Sequence, residues 1–212
     1  MNEKICYIVG AYRPKNIEIS QTAGAYIMAC DGGFGEMGDI KPDLVVGDFD
    51  SLGYIPTGYE LLYHSPEKDD TDVLLAIKKG LELGFKTFII YGCIGGRIDH
   101  AYANYQALGY LDCHGARGYL IGDGWVVTQI SDSSIALKGE AGGVFSVFSP
   151  SGDTEGVCIT GGKYPLEKYH MKSVFPIGVS NEFLEDQAVV TAGKGSLLIM
   201  WQCSPRRFFE TM

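Results

Sequence analysis

Acidic side chains in this sequence collect directly after short apolar segments. Asp31 follows the apolar residues 26–30, and Asp48 and Asp50 follow residues 44–46. Carboxylates two residues apart in an extended chain point to the same side, so Asp48 and Asp50 can share a cation. Magnesium prefers such hard oxygen ligands together with the phosphates of a substrate. The alternative is that Asp and Ser after a strand form only an Asx turn, and this segment alone does not separate the two.

A second acidic segment, residues 68–72, precedes a helical pattern. Thr71 or Asp70 can cap that helix, and the helix dipole favours acidic residues in the first turn, so the segment also has a purely structural explanation. Asp72 is expected in the first turn of the helix, where a phosphate-bound cation could use its carboxylate. Lys68, just upstream, is a candidate phosphate contact.

A glycine-rich segment, residues 92–97, lies between a predicted strand and a predicted helix. Glycines let backbone amides approach a phosphate closely, and the N-terminus of the following helix favours an anion. Arg97 would add a forked donor for phosphate oxygens. The alternative is a plain turn. We therefore treat this segment as a candidate phosphate-binding loop.

Another glycine pattern is misleading. Gly33, Gly35 and Gly38 match G-x-G-x-x-G literally, after a strand. The dinucleotide motif requires a helix that opens at those glycines, whereas Pro42 limits any helix here to a turn or two. We therefore reject a nicotinamide cofactor. The sequence also contains no G-x-x-x-x-G-K-[ST] pattern, so a P-loop is excluded.

The elements that position these residues follow from hydrophobic periodicity. The first half predicts strands at residues 5–9, 26–30, 44–46, 60–64, 87–91 and 119–121, and helices at residues 71–83 and 98–111. Strands separated by helices indicate parallel βαβ units, so the expected fold class is α/β with a parallel sheet. The acidic residues and the glycine-rich segment then share the carboxyl edge of that sheet, where such folds bind ligands.

The second half has a different texture. It predicts strands at residues 125–130, 135–138, 144–148, 157–160, 187–191 and 197–202, separated by Gly, Ser, Pro and Asn. That spacing is typical of a small antiparallel β-sandwich or barrel. We place the boundary near Asp123, which gives an α/β domain at residues 1–123 and a β-rich domain at residues 124–212.

Composition excludes several classes of protein. The 212 residues carry 17 Lys and Arg against 26 Asp and Glu, a net charge of −9. A nucleic-acid binder needs a cationic surface, and an anionic membrane would also repel this chain, so neither is expected as a partner. The six cysteines form no C-x-x-C pair, and no secretory signal or 20-residue apolar span is visible. A cytoplasmic location is expected.

The ordered set of motifs resembles the thiamine pyrophosphokinase (thiamine diphosphokinase) family. Any one motif is weak, but the set covers nearly the whole chain and is specific in its order. The matching segments are residues 29–33, 42–51, 67–72, 95–100, 162–166 and 178–182. The resemblance implies a nucleotide-binding α/β domain followed by a β-sandwich.

By the same resemblance, the protein transfers the diphosphoryl group of ATP to the hydroxyethyl oxygen of thiamine, which gives AMP and thiamine diphosphate. The family pattern implies catalytic roles for Asp48, Asp50, Asp72 and Asp99. It implies that three of these four, Asp48, Asp50 and Asp72, bind Mg²⁺. It implies substrate contacts from Asp31, Lys68, Asp69, Thr71, Arg97, Asn104, Ser180 and Asn181. The alternative from another class is a metal-dependent phosphohydrolase, although the aspartyl-nucleophile type carries its Asp-x-Asp after the first strand rather than the third.

The family resemblance also implies a homodimer. Ser180 and Asn181 match the segment that in the family reaches thiamine from the partner subunit. One departure lies near the N-terminus, where Gly10 and Ala11 stand in place of the Asn-Gly of many relatives. The contacts to adenine and ribose are therefore not assigned by the resemblance.

Overall fold

The computed structural model describes residues 4–12, 25–64 and 70–211. The chain divides into two compact units, Met1–Asp123 and Gly124–Met212. The mixed α/β class is confirmed, with a parallel sheet in the first unit and antiparallel sheets in the second.

The first unit is built on a parallel sheet. Its strands are β1 (Ile5–Val9), β2 (Tyr26–Cys30), β3 (Leu44–Gly47), β4 (Glu60–Tyr63), β5 (Thr87–Tyr91) and β6 (Arg117–Gly122). They lie in the order β6-β5-β1-β2-β3-β4, and every neighbouring pair is parallel. The central strands are almost entirely apolar because a parallel sheet is covered on both faces. All five residues of β5 are buried accordingly.

Two helices of this unit begin and end where local chemistry dictates. Helix α1 (Asp72–Glu82) is capped by Thr71, whose hydroxyl accepts a hydrogen bond from the amide of Leu74 at 3.2 Å. Gly84 follows the helix with φ of 85°, a conformation that glycine adopts without strain. Helix α2 (Ile98–Cys113) packs on β6. Each helix begins at the carboxyl edge of the sheet.

The second unit contains two antiparallel sheets. Its strands are β7 (Trp125–Ser131), β8 (Ser134–Lys138), β9 (Val144–Phe148), β10 (Thr154–Thr160), β11 (Leu166–Met171), β12 (Asn181–Glu182), β13 (Gln187–Thr191) and β14 (Ser196–Gln202). One sheet has the order β12-β9-β14-β7 and the other β11-β10-β13-β8. A short helix, α3 (Pro205–Thr211), follows the last strand.

The elements that the sequence analysis did not predict are short or exposed. They are β11, β12, α3 and a 3-10 helix at Asp31–Glu36. The 3-10 helix occupies the G-x-G-x-x-G segment and spans only six residues, too few for the long helix of a dinucleotide site. Among the described residues, no helix is both long and apolar enough to span a membrane.

Candidate active site

The carboxyl edge of the parallel sheet contains a crevice. The chain runs from β1 outward to β4, and α1 then returns it to β5 on the other side of β1. The connections that leave β1 and β5 therefore lead to opposite sides of the sheet order, and such switch points are where open α/β sheets bind ligands. A cavity of about 410 Å³ lies here, lined by segments that follow β1, β2 and β5 and by the start of α1.

Three carboxylates converge at this edge. Asp31, Asp48 and Asp50 each offer an oxygen, and these atoms lie within 4.8 Å of one another. The Asp48 carboxylate accepts a hydrogen bond from the amide of Asp50 at 3.3 Å, and the Ser51 hydroxyl donates to Asp50 at 3.2 Å. Asp31 is only 8% exposed, and its Oδ1 has no hydrogen-bond partner among the described residues.

Local packing brings these acids together. Gly47, the last residue of β3, approaches Asp31 so closely that a Cβ on Gly47 would lie 3.0 Å from the Cβ of Asp31. Phe49 is buried in a core cluster with Val45, whereas Asp48 and Asp50 on either side of it are more accessible. Asp31 and Phe49 both have positive φ, at 40° and 63°. Strained backbone of this kind is concentrated at functional sites.

This donor set fits a divalent cation. Three hard oxygen donors from separate acids match the ligand preference of Mg²⁺. Their negative charges repel one another without a cation, and the buried Oδ1 of Asp31 lacks the partner that a buried polar atom requires. A cation at this point would remove both penalties.

Asp72 lies outside this carboxylate group, which differs from the predicted ligand set of Asp48, Asp50 and Asp72. The third member in the structure is Asp31. Asp72 lines the cavity, and its Oδ1 lies 2.9 Å from Nε2 of His64, the residue that follows β4. Since His64 is 13% exposed at its side chain and Asp72 29%, this contact is partly shielded from water and orients the carboxylate.

Neighbouring residues of the same segment have structural roles. The Thr71 hydroxyl caps α1. Asp70 accepts a hydrogen bond from the ammonium group of Lys78 at 2.6 Å, and this contact raises the pKa of Lys78. The predicted substrate contacts from Lys68 and Asp69 lie outside the described residues.

Arg97 and Asp99 pair with each other at the start of α2. Their side chains meet at 2.6 Å and are 71% and 66% exposed. The hydrogen bond from Arg97 lowers the pKa of Asp99 to about 2. A carboxylate with so low a pKa is a weak proton acceptor near neutral pH, so Asp99 is poorly suited to be a general base while Arg97 is paired with it. Arg97 lines the cavity, as a phosphate contact would require.

Asn104 holds the glycine-rich loop, residues 92–97, through a buried hydrogen bond. Its side chain is 7% exposed, and its amide donates to the carbonyl oxygen of Cys93 at 2.9 Å. Burial raises the pKa of the Cys93 thiol to about 12, so this thiol is not a nucleophile at neutral pH. The structure therefore shows Asn104 fixing the loop, and a direct substrate contact from it stays a prediction.

Ser180 and Asn181 lie in the second unit. The amide of Ser180 donates to the hydroxyl of Ser146 at 3.0 Å. The Asn181 side chain is buried and holds the main chain of Tyr164 at both ends, accepting from its N–H at 3.0 Å and donating to its carbonyl at 2.8 Å. Asn181 therefore positions Tyr164, and its predicted contact with substrate is not tested by the structure.

Two features of the site were not predicted from the sequence. His64 pairs with Asp72, and Tyr12 lines the cavity. The only sequence signal for either residue is its position just after a strand of the parallel sheet, where side chains reach the carboxyl edge.

The fold and the site define a class of protein. It is a two-unit α/β protein, with an antiparallel β unit after the parallel sheet and an acidic site suited to a cation at the carboxyl edge of that sheet. Residues 20–117 match the family model described as thiamin pyrophosphokinase, catalytic domain. Residues 133–197 match the model described as thiamin pyrophosphokinase, vitamin B1 binding domain. Together the two matches cover well over half of the chain, and the chain belongs to the thiamine pyrophosphokinase family.

Individual relatives agree with this assignment. The chain is 28% identical over 168 residues to the thiamine pyrophosphokinase of Bacillus subtilis. The aligned region covers 76% of this chain and 78% of the relative. A crystal structure of the B. subtilis enzyme superposes with a TM-score of 0.82 at 25% identity, covering 95% of this chain and 100% of that one. The Geobacillus thermodenitrificans structure, at 20% identity, shares the fold with a TM-score of 0.81 over 96% and 99% of the two chains.

Proposed function

We propose that this protein is a thiamine diphosphokinase, which transfers the β,γ-diphosphoryl group of ATP to the hydroxyethyl oxygen of thiamine. The observation that carries the proposal is that both family models match in order along one chain. The three-carboxylate group falls within the catalytic match, and Ser180 and Asn181 fall within the vitamin-binding match. None of the relatives favours a phosphohydrolase.

Asp31, Asp48 and Asp50 are the residues that would hold Mg²⁺ against the triphosphate. An ion held there would supply neutralisation of the negative charge on the phosphate oxygens. Arg97, at the cavity wall, would bind phosphate oxygens once it leaves Asp99. The remaining contribution of the protein is to hold the thiamine oxygen in line with the β-phosphorus.

Asp72 is our candidate for the group that accepts the hydroxyl proton of thiamine. It lines the cavity together with Asp31, and His64 fixes the direction of its carboxylate. Asp99 was also predicted to be catalytic, and that role stays a prediction, because the low pKa of its carboxyl group depends on the contact with Arg97. The net charge of −9 favours capture of thiamine, which is a cation.

We assign the two substrates to the two units. Residues 1–123 would bind ATP and carry the catalytic acids, and residues 124–212, whose two sheets we take to form a sandwich, would bind thiamine and mediate dimerisation. The six cysteines are free thiols, and four of them are buried. Free thiols suit a reducing compartment, so we place the enzyme in the cytoplasm.

The products of the reaction test the assignment. With Mg²⁺, ATP and thiamine, we expect AMP and thiamine diphosphate in equal amounts, because the attack falls on the β-phosphorus. Chromatography of nucleotides and thiamine esters from one reaction measures both. ADP with thiamine monophosphate would contradict the proposal, and so would release of inorganic phosphate from ATP at the same rate without thiamine, which is the behaviour of a phosphohydrolase.

The proposed dimer has support in an exposed apolar segment of the second unit. Val174, Phe175, Ile177 and Val179 are 87%, 57%, 45% and 56% exposed. The ends of this segment are anchored, because Asp153 accepts hydrogen bonds from Ser173 and the amide of Ser180 donates to Ser146. An ordered apolar surface of this kind is typical of a protein–protein contact, and a second copy of the chain is the occupant that the family implies.

A charge placed in that segment is expected to dissociate the dimer. We predict that wild type sediments as a dimer and that Ile177→Asp sediments as a monomer, because two-fold symmetry buries the new charge twice. Ile55→Asp is the matched control, since Ile55 is 61% exposed in a loop of the first unit. A wild-type monomer, or an Ile177→Asp dimer as tight as wild type, would contradict this use of the segment.

A further inference from the structure

The ring of Tyr12 packs closely against the glycine pair of the loop after β5, Gly95 and Gly96. A Cβ on Gly95 would lie 2.7 Å from Cε1 and 2.9 Å from Cζ of the ring, and a Cβ on Gly96 would lie 2.6 Å from Cδ2 and 3.2 Å from Cε2. Both glycines have positive φ, at 93° and 68°. The pair therefore lacks side chains because the ring occupies their space, and its role is not limited to approaching a phosphate.

The contacts with the glycine pair leave part of the ring uncovered. The atoms Cε1 and Cδ2 lie at opposite corners of the ring, so the contacts extend across its whole width. Tyr12 is nevertheless 42% exposed and lines the cavity. The uncovered part of the ring forms an aromatic wall of the cavity.

Backbone hydrogen bonds fix this wall in place. The amide of Tyr12 donates to the carbonyl of Gly92 at 3.0 Å, and the amide of Gly10 donates to the carbonyl of Tyr91 at 2.8 Å. The ring is thus held by its backbone and by the glycine pair before any ligand arrives. A preorganised aromatic surface costs little conformational entropy when a ligand stacks on it.

The position of the wall along the sheet edge matches one end of a nucleotide. Tyr12 follows β1 and the glycine pair follows β5, so their contact lies at the switch point itself. The acidic group lies toward the other side of β1, after β2 and β3. The cavity extends from Asp31 and Ser51 to Tyr12 and the glycine pair, so a nucleotide with its phosphates at the acids has room for its base on the β1–β5 side.

We propose that Tyr12 is the platform on which the purine base of the nucleotide substrate stacks. This inference rests on the proposed function, because it takes the phosphate end of the same nucleotide to lie at Asp31, Asp48 and Asp50. The cavity of about 410 Å³ is within the range of small-molecule sites. Because Gly10 and Ala11 depart from the family pattern just before it, Tyr12 supplies recognition that the resemblance left unassigned.

Calorimetry with two phosphate ligands separates base stacking from phosphate binding. The probes are a non-hydrolysable ATP analogue and inorganic tripolyphosphate, each with Mg²⁺ and the full-length protein. We expect Tyr12→Ala to weaken binding of the analogue by roughly ten- to a hundredfold, the usual effect of removing a stacking aromatic. Binding of tripolyphosphate should be unchanged, and Tyr12→Phe should bind the analogue as wild type does.

Two further variants control for folding and for loss of apolar surface. Tyr12→Leu fills the space against the glycine pair without an aromatic face, so it should also weaken binding of the analogue, and it carries the test if Tyr12→Ala does not fold. Tyr102→Ala removes a tyrosine of α2 that is 64% exposed and does not line the cavity, and it should bind both probes normally.

Four results would overturn the proposal. Equal loss of analogue and tripolyphosphate binding would assign Tyr12 to the phosphates or to the fold, and no loss of either would leave it without a role. Weakened thiamine binding with unchanged analogue binding would assign the ring to the other substrate. A wild-type protein that binds neither phosphate probe would contradict the proposed function itself, which distinguishes that failure from a failure of stacking alone.

Discussion

Replacing Asp48 or Asp50 with asparagine is expected to abolish turnover while the fold is kept. Both side chains belong to the group whose oxygens lie within 4.8 Å of one another. Asparagine has nearly the same shape, and its Oδ1 can still accept the hydrogen bond that Asp48 takes from the amide of Asp50. Only the charge that a cation needs is lost, so we expect kcat to fall at least about a hundredfold, or about 3 kcal/mol.

Thermal unfolding supplies a second readout of the same variants. Without Mg²⁺, removal of one of three neighbouring like charges should leave the melting temperature unchanged or raise it. Added Mg²⁺ should raise the melting temperature of wild type and do so much less in the variants, because a ligand stabilises only the form that binds it.

Asp43→Asn is the matched control for these variants. Asp43 is exposed just before β3, at the opposite end of the strand, where its carboxylate accepts from the amide of Ile27 at 2.8 Å. It should retain full activity and the full response to Mg²⁺. Near wild-type turnover in Asp48→Asn or Asp50→Asn at moderate Mg²⁺ would show that the residue only shapes the turn.

Gly33→Ala is expected to destabilise the protein strongly. A Cβ on Gly33 would lie 2.1 Å from the carbonyl oxygen of Val9 and 2.9 Å from the carbonyl carbon of Gly10. These are backbone atoms of the central strand and its loop, and they cannot rotate away. We expect a loss of about 3 kcal/mol in the free energy of unfolding, measured by urea denaturation.

The same change two residues later is the control. The nearest atom to a Cβ on Gly35 is Cδ2 of Leu52 at 3.7 Å, an ordinary contact, so Gly35→Ala should be neutral or slightly stabilising. Equal stability of the two variants would mean that β1 yields to the added methyl group. The contrast also explains the misleading glycine pattern, since Gly33 allows the 3-10 helix to touch β1 and Gly35 has no such constraint.

Buried elements were predicted well because their patterns are set by the core. The bounds of β5, β9 and β13 agree with the expected ranges, and those of α1 differ by one residue at each end because Thr71 is the cap rather than the first helical residue. Strand β11 was missed because its sequence, Leu-Glu-Lys-Tyr-His-Met, is mostly exposed and pairs with β10 through an irregular register. Such a strand is specified by its partner and not by its own periodicity.

The site was predicted in part for the same reason. Asp48 and Asp50 are close in sequence, so local geometry alone brings them together. The addition of Asp31 depends on the close approach of Gly47, and the pairing of Asp72 with His64 depends on where β4 ends. These are tertiary contacts between residues of separate elements, and the spacing of residues in the sequence carries no measure of them.

The strands of the parallel sheet are synthesised in an order that differs from their order in the sheet. β1 comes before the other strands of this sheet along the chain, and in the folded protein it lies between β2 and β5. Its residues Cys6 to Val9 are fully buried. β2 can pair with one edge of β1 early. The other edge of β1 has no partner until β5 (Thr87–Tyr91) has been synthesised, which takes several seconds at ordinary rates of translation. During that interval the nascent chain presents an apolar, unpaired strand edge, the feature that recruits wrong partners. Correct folding of this chain therefore depends on keeping one edge of its first strand vacant until the fifth strand arrives.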